Sequence, residues 1–109
     1  MKLKNPMLIV NDMEQTKKFY QTVLGLHVIM DFGANITLTG GLSLQTKESY
    51  AEFIGKKENE IKLGGNDVEI YFEEDNFDAF IQKLEQFPEI QYVHPVKKHR
   101  VGATSSTFL

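Results

Sequence analysis

Residues 8–26, LIVNDMEQTKKFYQTVLGL, contain the signals for one strand followed by one helix. The apolar run that ends at Val10 predicts a strand, and Asn11-Asp12 offers a cap for the N-terminus of the next helix. Apolar residues then recur every three or four positions, which is typical of an amphipathic helix. Gly25 is a natural end for this helix, because glycine adopts the left-handed conformation at low cost.

Three further strands are predicted after this helix, separated by turns at Gly33 and at Gly40-Gly41. The first module therefore has the predicted order β-α-β-β-β. Its predicted strands are residues 3–10, 26–32, 36–39 and 42–46, and a short helix is predicted over 48–57.

A second stretch, VEIYFEEDNFDAFIQKL at residues 68–84, repeats the opening of the first. Alternation over 67–73 predicts a strand, Asp75 is the expected cap of a helix that ends at Phe87, and 89–96 reads as another strand. The predicted fold is a single α+β domain of paired βαβββ modules, of which the second is incomplete. The expected boundaries are residues 1–57 for the first module, 66–98 for the second and 99–109 for an irregular tail.

Composition narrows the function classes. The chain has 109 residues, a net charge of −3 and no cysteine, which excludes disulfides, thiolate metal sites and cysteine nucleophiles. Nothing in this charge balance favours nucleic acid as a partner. No segment resembles a signal peptide or a membrane span, so we expect a cytoplasmic protein without a membrane partner.

The two quoted stretches and the βαβββ pattern resemble the glyoxalase/bleomycin resistance/extradiol dioxygenase superfamily, which has the vicinal oxygen chelate fold. The resemblance covers residues 1 to about 98. It implies that each module curls its sheet into half of a cup, with the helix on the convex side. Many members hold a divalent ion in this cup through four His or Glu side chains, and the ion polarises vicinal oxygens of the substrate.

The positions that match the metal ligands carry poor ligands in this chain. Asn5 stands where the family usually has His, Gln45 where it usually has Glu, and the third position falls near Glu69 or, with a shifted register, Asp67. The fourth ligand belongs to a last strand that the chain lacks. Amides are weak neutral ligands, so we predict no catalytic metal and no cofactor. The histidines do not match the metal positions; they are His27, His94 and His99.

The remaining hypothesis is a polar pocket on the concave face of the sheet. Period-two alternation predicts that Val10, Leu42, Leu44, Val68, Ile70 and Phe72 face the helices. The opposite face then carries the candidate pocket residues Asn5, Thr37, Thr39, Ser43, Gln45, Glu69 and Tyr71. A solvated sheet face explains the same pattern, because antiparallel sheets commonly leave one face wet.

Two functions fit the resemblance, and the sequence identifies neither a substrate nor a catalytic residue. One is a small-molecule-binding protein of the glyoxalase type, with lyase or dioxygenase activity in its full-length relatives. The other is a non-catalytic module of the bleomycin-resistance type that sequesters its ligand. A plain ferredoxin-like α+β domain is a third reading, although Gly40-Gly41 between two short strands favours βαβββ. In each glyoxalase-like case we expect a homodimer, since an incomplete second sheet leaves an open edge.

The C-terminal segment RVGATSSTFL, residues 100–109, interrupts the pattern. Close family members continue at this point with a sequence such as WGQRVVRFY. One choice of codons for RVGATSSTFL, read one base later, encodes WGQRVVRF and the start of a Tyr codon. We therefore expect a frameshift that replaces the last strands, with residues 104–109 able to form only a weak strand. A native disordered terminus is the other explanation.

Overall fold

The computed structural model of the chain describes residues 1–65, 67–91, 97–98 and 104–105. These residues form two compact units, Met1–Glu69 and Ile70–Leu109. In chain order the elements are β1 (Met7–Val10), α1 (Met13–Thr22), β2 (Val28–Asp31), β3 (Asn35–Leu38), β4 (Ser43–Thr46), α2 (Lys47–Ile54), a 3-10 helix (Glu58–Glu60), α3 (Phe77–Leu84), β5 (Lys97–Lys98) and β6 (Thr104–Ser105). The predicted α+β class is confirmed.

The first unit contains a four-stranded sheet in the order β1-β4-β3-β2. β1 runs parallel to β4, and the other neighbouring pairs are antiparallel. The predicted order β-α-β-β-β is therefore confirmed for this module. β1 begins at Met7 rather than at Leu3, and Pro6 just before it has no amide hydrogen to donate to a ladder.

The ends of α1 follow the signals in the sequence. The Asp12 side chain accepts a hydrogen bond from the amide of Gln15 at 3.0 Å, as expected for the N-cap. After the last turn Gly25 takes a φ of 71°, and the amide of Leu26 donates to the carbonyl of Tyr20 at 3.0 Å. The cap predicted at Asp12 and the stop predicted at Gly25 are both confirmed.

The turn between β3 and β4 depends on two glycines. Gly40 and Gly41 have φ angles of 90° and 92°, a backbone conformation that residues with a side chain rarely adopt. The amide of Gly41 donates to the carbonyl of Leu38 at 3.0 Å, and the amide of Leu38 donates to the carbonyl of Leu42 at 2.8 Å. The turn therefore brings β4 back against β3 over a very short connection.

The core of the first unit lies on one face of the sheet. Ile36, Leu38 and Leu44 are at most 1% exposed, and Val10 belongs to the same cluster. The partly buried residues packed against this cluster are Leu8, Met13, Tyr20, Leu26, Val28 and Leu42. Burial also raises the pKa of the Tyr20 phenol above its usual value.

The strand predicted over residues 67–73 is wrong. None of the described residues in this range is in a strand, and Val68, Tyr71 and Phe72 are 69%, 70% and 42% exposed. The expectation that Val68 and Phe72 face the core is therefore wrong as well. Alternating apolar residues create a preference for extended structure, but a strand also needs a hydrogen-bonding neighbour, and no strand among the described residues pairs with this segment.

The second helix of the predicted repeat exists but is shorter than expected. α3 begins one residue later than predicted, because Asn76 rather than Asp75 is its N-cap. The Asn76 side chain accepts a hydrogen bond from the amide of Ala79 at 3.1 Å. In turn the amide of Asn76 donates to the carboxylate of Glu74 at 3.2 Å. The helix ends at Leu84 instead of Phe87, and Leu84 is its most buried residue.

The corrected cap gives a direct test of the second unit. Replacing Asn76 with alanine should destabilise this unit by about 1 kcal/mol, because the amide of Ala79 loses its acceptor. Asp75→Ala is the matched control and should change the stability by less than about 0.5 kcal/mol. Urea denaturation followed by far-UV circular dichroism compares the two variants. A larger loss for Asp75→Ala would show that the cap is assigned to the wrong residue.

At the C-terminus, the structure pairs β5 with β6 in an antiparallel register, Lys97 opposite Ser105 and Lys98 opposite Thr104. Thr104 and Ser105 thus form part of the weak strand predicted for 104–109. Of the strand predicted over 89–96, residues 89–91 are not in a strand, and 92–96 lie outside the described residues, as does the rest of the irregular tail. In the described part of the chain, no helix is long and apolar enough to cross a membrane.

Candidate functional site

The face of the sheet opposite the core is the candidate site, and we call it the open face. Since Ile36, Leu38 and Leu44 point into the core, their neighbours along each strand point the other way. The strand register aligns these neighbours in two rows across the sheet. The first row is Met7, Ser43, Thr37 and Met30, and the second is Ile9, Gln45 and Asn35.

Two hydroxyl groups lie at the centre of the first row. Thr37 and Ser43 are paired in register, and their hydroxyl oxygens are 3.0 Å apart. Ser43 is only 1% exposed, whereas Thr37 is half-buried and therefore the more accessible of the two. Each hydroxyl has one hydrogen, and their mutual bond uses only one of them. The pair can therefore offer its second hydrogen to a bound molecule.

Two methionines lie at the ends of this row. Met7 and Met30 are 50% and 51% exposed. The Met7 sulfur accepts a hydrogen bond from the Asn35 side chain at 3.6 Å, which is a weak interaction for the amide. Thioether side chains adapt their shape and pack well against aromatic rings. The first row thus combines a polar centre with adaptable apolar ends.

The amides of the second row are open to new partners. Asn35 and Gln45 lie opposite each other on β3 and β4, and both are half-buried. Within the described residues, the Gln45 side chain makes no hydrogen bond, while that of Asn35 hydrogen-bonds only to the Met7 sulfur. A side-chain amide has two donor hydrogens and an acceptor oxygen, so Gln45 can donate a hydrogen bond to a ligand or accept one from it.

Two other predicted pocket residues have structural roles instead. The Asn5 side chain donates to the carbonyl of Gly41 at 2.8 Å and ties the start of the chain to the β3–β4 turn. The Thr39 hydroxyl accepts from the amide of His27 at 3.1 Å, and the Thr39 amide donates to the carbonyl of His27 at 2.8 Å. These bonds connect the segments at the ends of neighbouring strands.

The structure does not bring the last two predicted residues into the rows. Glu69 is exposed and ends the first compact unit, and Tyr71, 70% exposed, lies in the second. Neither is in a strand, so period-two alternation does not assign them to a sheet face. The candidate site therefore consists of residues of the first unit.

Asn5, Gln45 and Glu69 do not fit the metal centre that the fold family implies. Asn5 binds Gly41, whereas Gln45 lies opposite Ile9. The backbone positions of Asn5 and Gln45 are therefore four residues apart along parallel strands, which is about 13 Å between their Cα atoms at 3.3 Å per residue. Ligands of one ion lie about 2.0–2.6 Å from it, so this pair cannot share an ion while the Asn5 amide keeps its bond to Gly41. Within the described ranges, no three His, Asp or Glu side chains form a metal-binding group.

Sequence reasoning missed four members of the two rows, namely Met7, Ile9, Met30 and Asn35. Met7 and Ile9 share the parity of Asn5 along β1, and Asn35 shares that of Thr37, so alternation alone could have identified them. Met30 was hidden by the irregularity between Val28 and Met30 in β2, which changes the parity of the strand.

Comparison with known proteins finds a family and several structures. Residues 3–108 match the family described as glyoxalase-like domain. This match extends past residue 98, where the resemblance seen in the sequence ends. A solved protein of unknown function from Agrobacterium tumefaciens strain C58 is 27% identical, with a TM-score of 0.82, over 99% of this chain and 84% of that chain. Comparison with curated sequences gives no significant match.

Two more distant structures share the fold. A member of the glyoxalase/bleomycin resistance protein/dioxygenase superfamily from Sphaerobacter thermophilus is 18% identical, with a TM-score of 0.65, over 99% of this chain and 87% of that chain. A lactoylglutathione lyase from Agrobacterium tumefaciens is 19% identical, with a TM-score of 0.61, over 96% of this chain and 82% of that chain. The match of residues 3–108 to the glyoxalase-like domain confirms the resemblance seen in the sequence, and these two structures show that the fold is shared.

Proposed function

Because the chain belongs to the glyoxalase-like domain family, we propose that it binds a small organic molecule on the open face, without a metal held by Asn5 and Gln45. One observation carries this proposal. The first row places a hydroxyl pair, Thr37 and Ser43, between two half-exposed methionines. Apolar surface around a few oriented polar groups is the usual composition of a small-molecule site.

The choice between binding and catalysis rests on the functional groups that the two rows contain. A lyase comparable to the lactoylglutathione lyase named above needs groups that activate a substrate, such as a metal or a general base. The two rows contain only hydroxyl, amide, thioether and aliphatic side chains. This composition supports the ligand-sequestering function of the bleomycin-resistance type over the enzymatic one. The expected homodimer stays a prediction.

An NMR titration tests the proposal on the full chain. A library of small aromatic and aliphatic compounds should shift backbone amide signals of β3 and β4, and Thr37→Val should weaken the binding of the hits severalfold by removing the accessible hydroxyl. Thr22→Val is the matched control, since its hydroxyl donates to the Lys18 carbonyl on α1, away from the rows. Binding that leaves the β3 and β4 signals unchanged would contradict the proposal.

The same samples test for a metal. After dialysis against zinc or nickel we expect no stoichiometric ion, and lactoylglutathione formation should not rise when either metal is added. Elemental analysis and a spectrophotometric assay provide the two measurements. One retained ion per chain, or metal-stimulated turnover, would favour the enzymatic alternative.

A further inference from the structure

We propose that the open face selects uncharged molecules, with a flat apolar part and one or two neutral hydrogen-bonding groups. This inference rests on the function proposed above and adds the class of ligand. It follows from the charges on the sheet, from the apolar ends of the first row and from the donors at its centre.

The strands of this sheet are almost free of charge. Among the residues of β1 to β4, Asp31 is the only charged one. It lies at the end of the edge strand β2, opposite Ile36, whose side chain points into the core. Its carboxylate already accepts the amide of Gly33 at 2.7 Å. Asp31 is therefore poorly placed to pair with a ligand on the open face.

A charged ligand gains little from such a surface. Removing an ion from water is costly unless an opposite charge and several hydrogen bonds replace its hydration shell. The two rows contain neither a positive nor a negative side chain. Anions and cations therefore both lose hydration energy without gaining an ion pair. A neutral carbonyl, hydroxyl or amide needs only one or two hydrogen bonds to replace those it made with water.

The polar groups that are present suit a neutral ligand. The Thr37–Ser43 pair can donate one hydrogen to a carbonyl or ether oxygen, and the Gln45 amide can donate or accept beside it. Met7 and Met30 provide flexible apolar contacts for a ring on either side of this centre. A planar molecule with a polar substituent matches this pattern of contacts.

The test compares three probes of similar size on the full chain at pH 7. They are 4-hydroxybenzamide, which is neutral, 4-hydroxybenzoate, which is an anion, and 4-hydroxybenzylamine, which is a cation. Titrations followed by amide shifts of β3 and β4 should show binding of the neutral probe about tenfold tighter than either ion, a difference of about 1.4 kcal/mol.

A charge change on the sheet provides the second measurement. Gln45→Glu keeps the size of the side chain but adds a negative charge to the second row. It should reverse the preference between the neutral probe and the cation, while Gln21→Glu, an exposed position on α1, should leave all three affinities unchanged.

The outcomes separate this inference from the proposed function. An anion or cation that binds β3 and β4 of the unaltered chain as tightly as 4-hydroxybenzamide would overturn the selectivity while leaving the function intact. If the library described above contains no molecule that shifts these signals, the proposed function itself fails. An equal response of Gln45→Glu and Gln21→Glu would show that the second row does not contact the ligand, which also contradicts the inference.

Discussion

Replacing Leu44 with alanine should lower the free energy of unfolding of the first unit by about 2–5 kcal/mol. Leu44 is fully buried on a central strand, between Leu8 of β1 and Ile36 of β3. The truncation removes apolar contacts on both sides and leaves a cavity that a hydrogen-bonded sheet cannot easily close. Urea denaturation monitored by circular dichroism measures the loss.

The control is a residue of similar size on an edge strand. Ile29 lies in the irregular part of β2 and is 59% exposed, so Ile29→Ala should cost less than about 1 kcal/mol. If Leu44→Ala is too unstable to study, Ile36→Val should still cost about 0.5–1.5 kcal/mol. Equal effects at Leu44 and Ile29 would contradict the assignment of Leu44 to the core.

The second large effect is expected at the β3–β4 turn. Gly40 has a φ of 90°, and a Cβ added there would meet no atom within 4 Å. Gly40→Val should therefore destabilise the unit through backbone strain rather than through a clash of the Cβ, by about 1–3 kcal/mol. Thermal unfolding provides the measurement.

Gly40→Asn separates strain from crowding. Asparagine enters the left-handed region more readily than a β-branched residue, so its cost should be clearly smaller than that of valine. A Cβ at this position meets no atom within 4 Å in either variant, so a clash of the Cβ does not explain a difference between them. Equal losses for the two variants would contradict the assigned conformation of the turn.

The first module was predictable because its local signals agree with its tertiary contacts. Asp12 caps α1, Gly25 ends its last turn in the left-handed conformation, and Gly40 and Gly41 form the tight turn that pairs β3 with β4. Each of these signals acts over a few residues, which is the range that sequence reasoning covers well. The largest shift is at the start of β1, from Leu3 to Met7, and the next is at the end of α2, which stops at Ile54 rather than at Lys57.

The second module was harder because its outcome depends on partners. The residues around Val68 alternate as a strand would, yet they pair with no strand in the described part of the chain, and Val68 itself is 69% exposed. The cap of α3 was missed by one position, since Asp75 and Asn76 are both good caps and only the observed hydrogen bond to Ala79 distinguishes them.

The candidate site was partly predictable for a similar reason. Alternation placed Thr37, Ser43 and Gln45 on one face, because all three lie in regular strands. It failed for Met30, which follows an irregularity, and for Glu69 and Tyr71, which lie outside any strand. The role of Asn5 depends on a carbonyl 36 residues away, which no local pattern can identify.

The parallel pairing of β1 with β4 also orders the events of folding. β2, β3 and β4 are joined by short turns and can pair soon after they collapse, whereas Met7 must find Ser43 across the whole module. Contacts of such long sequence separation are the slow ones, so we expect β1 to join last. The first row of the open face is therefore completed only at this final step. A ligand bound to that row would oppose the detachment of β1 and would stabilise the folded module.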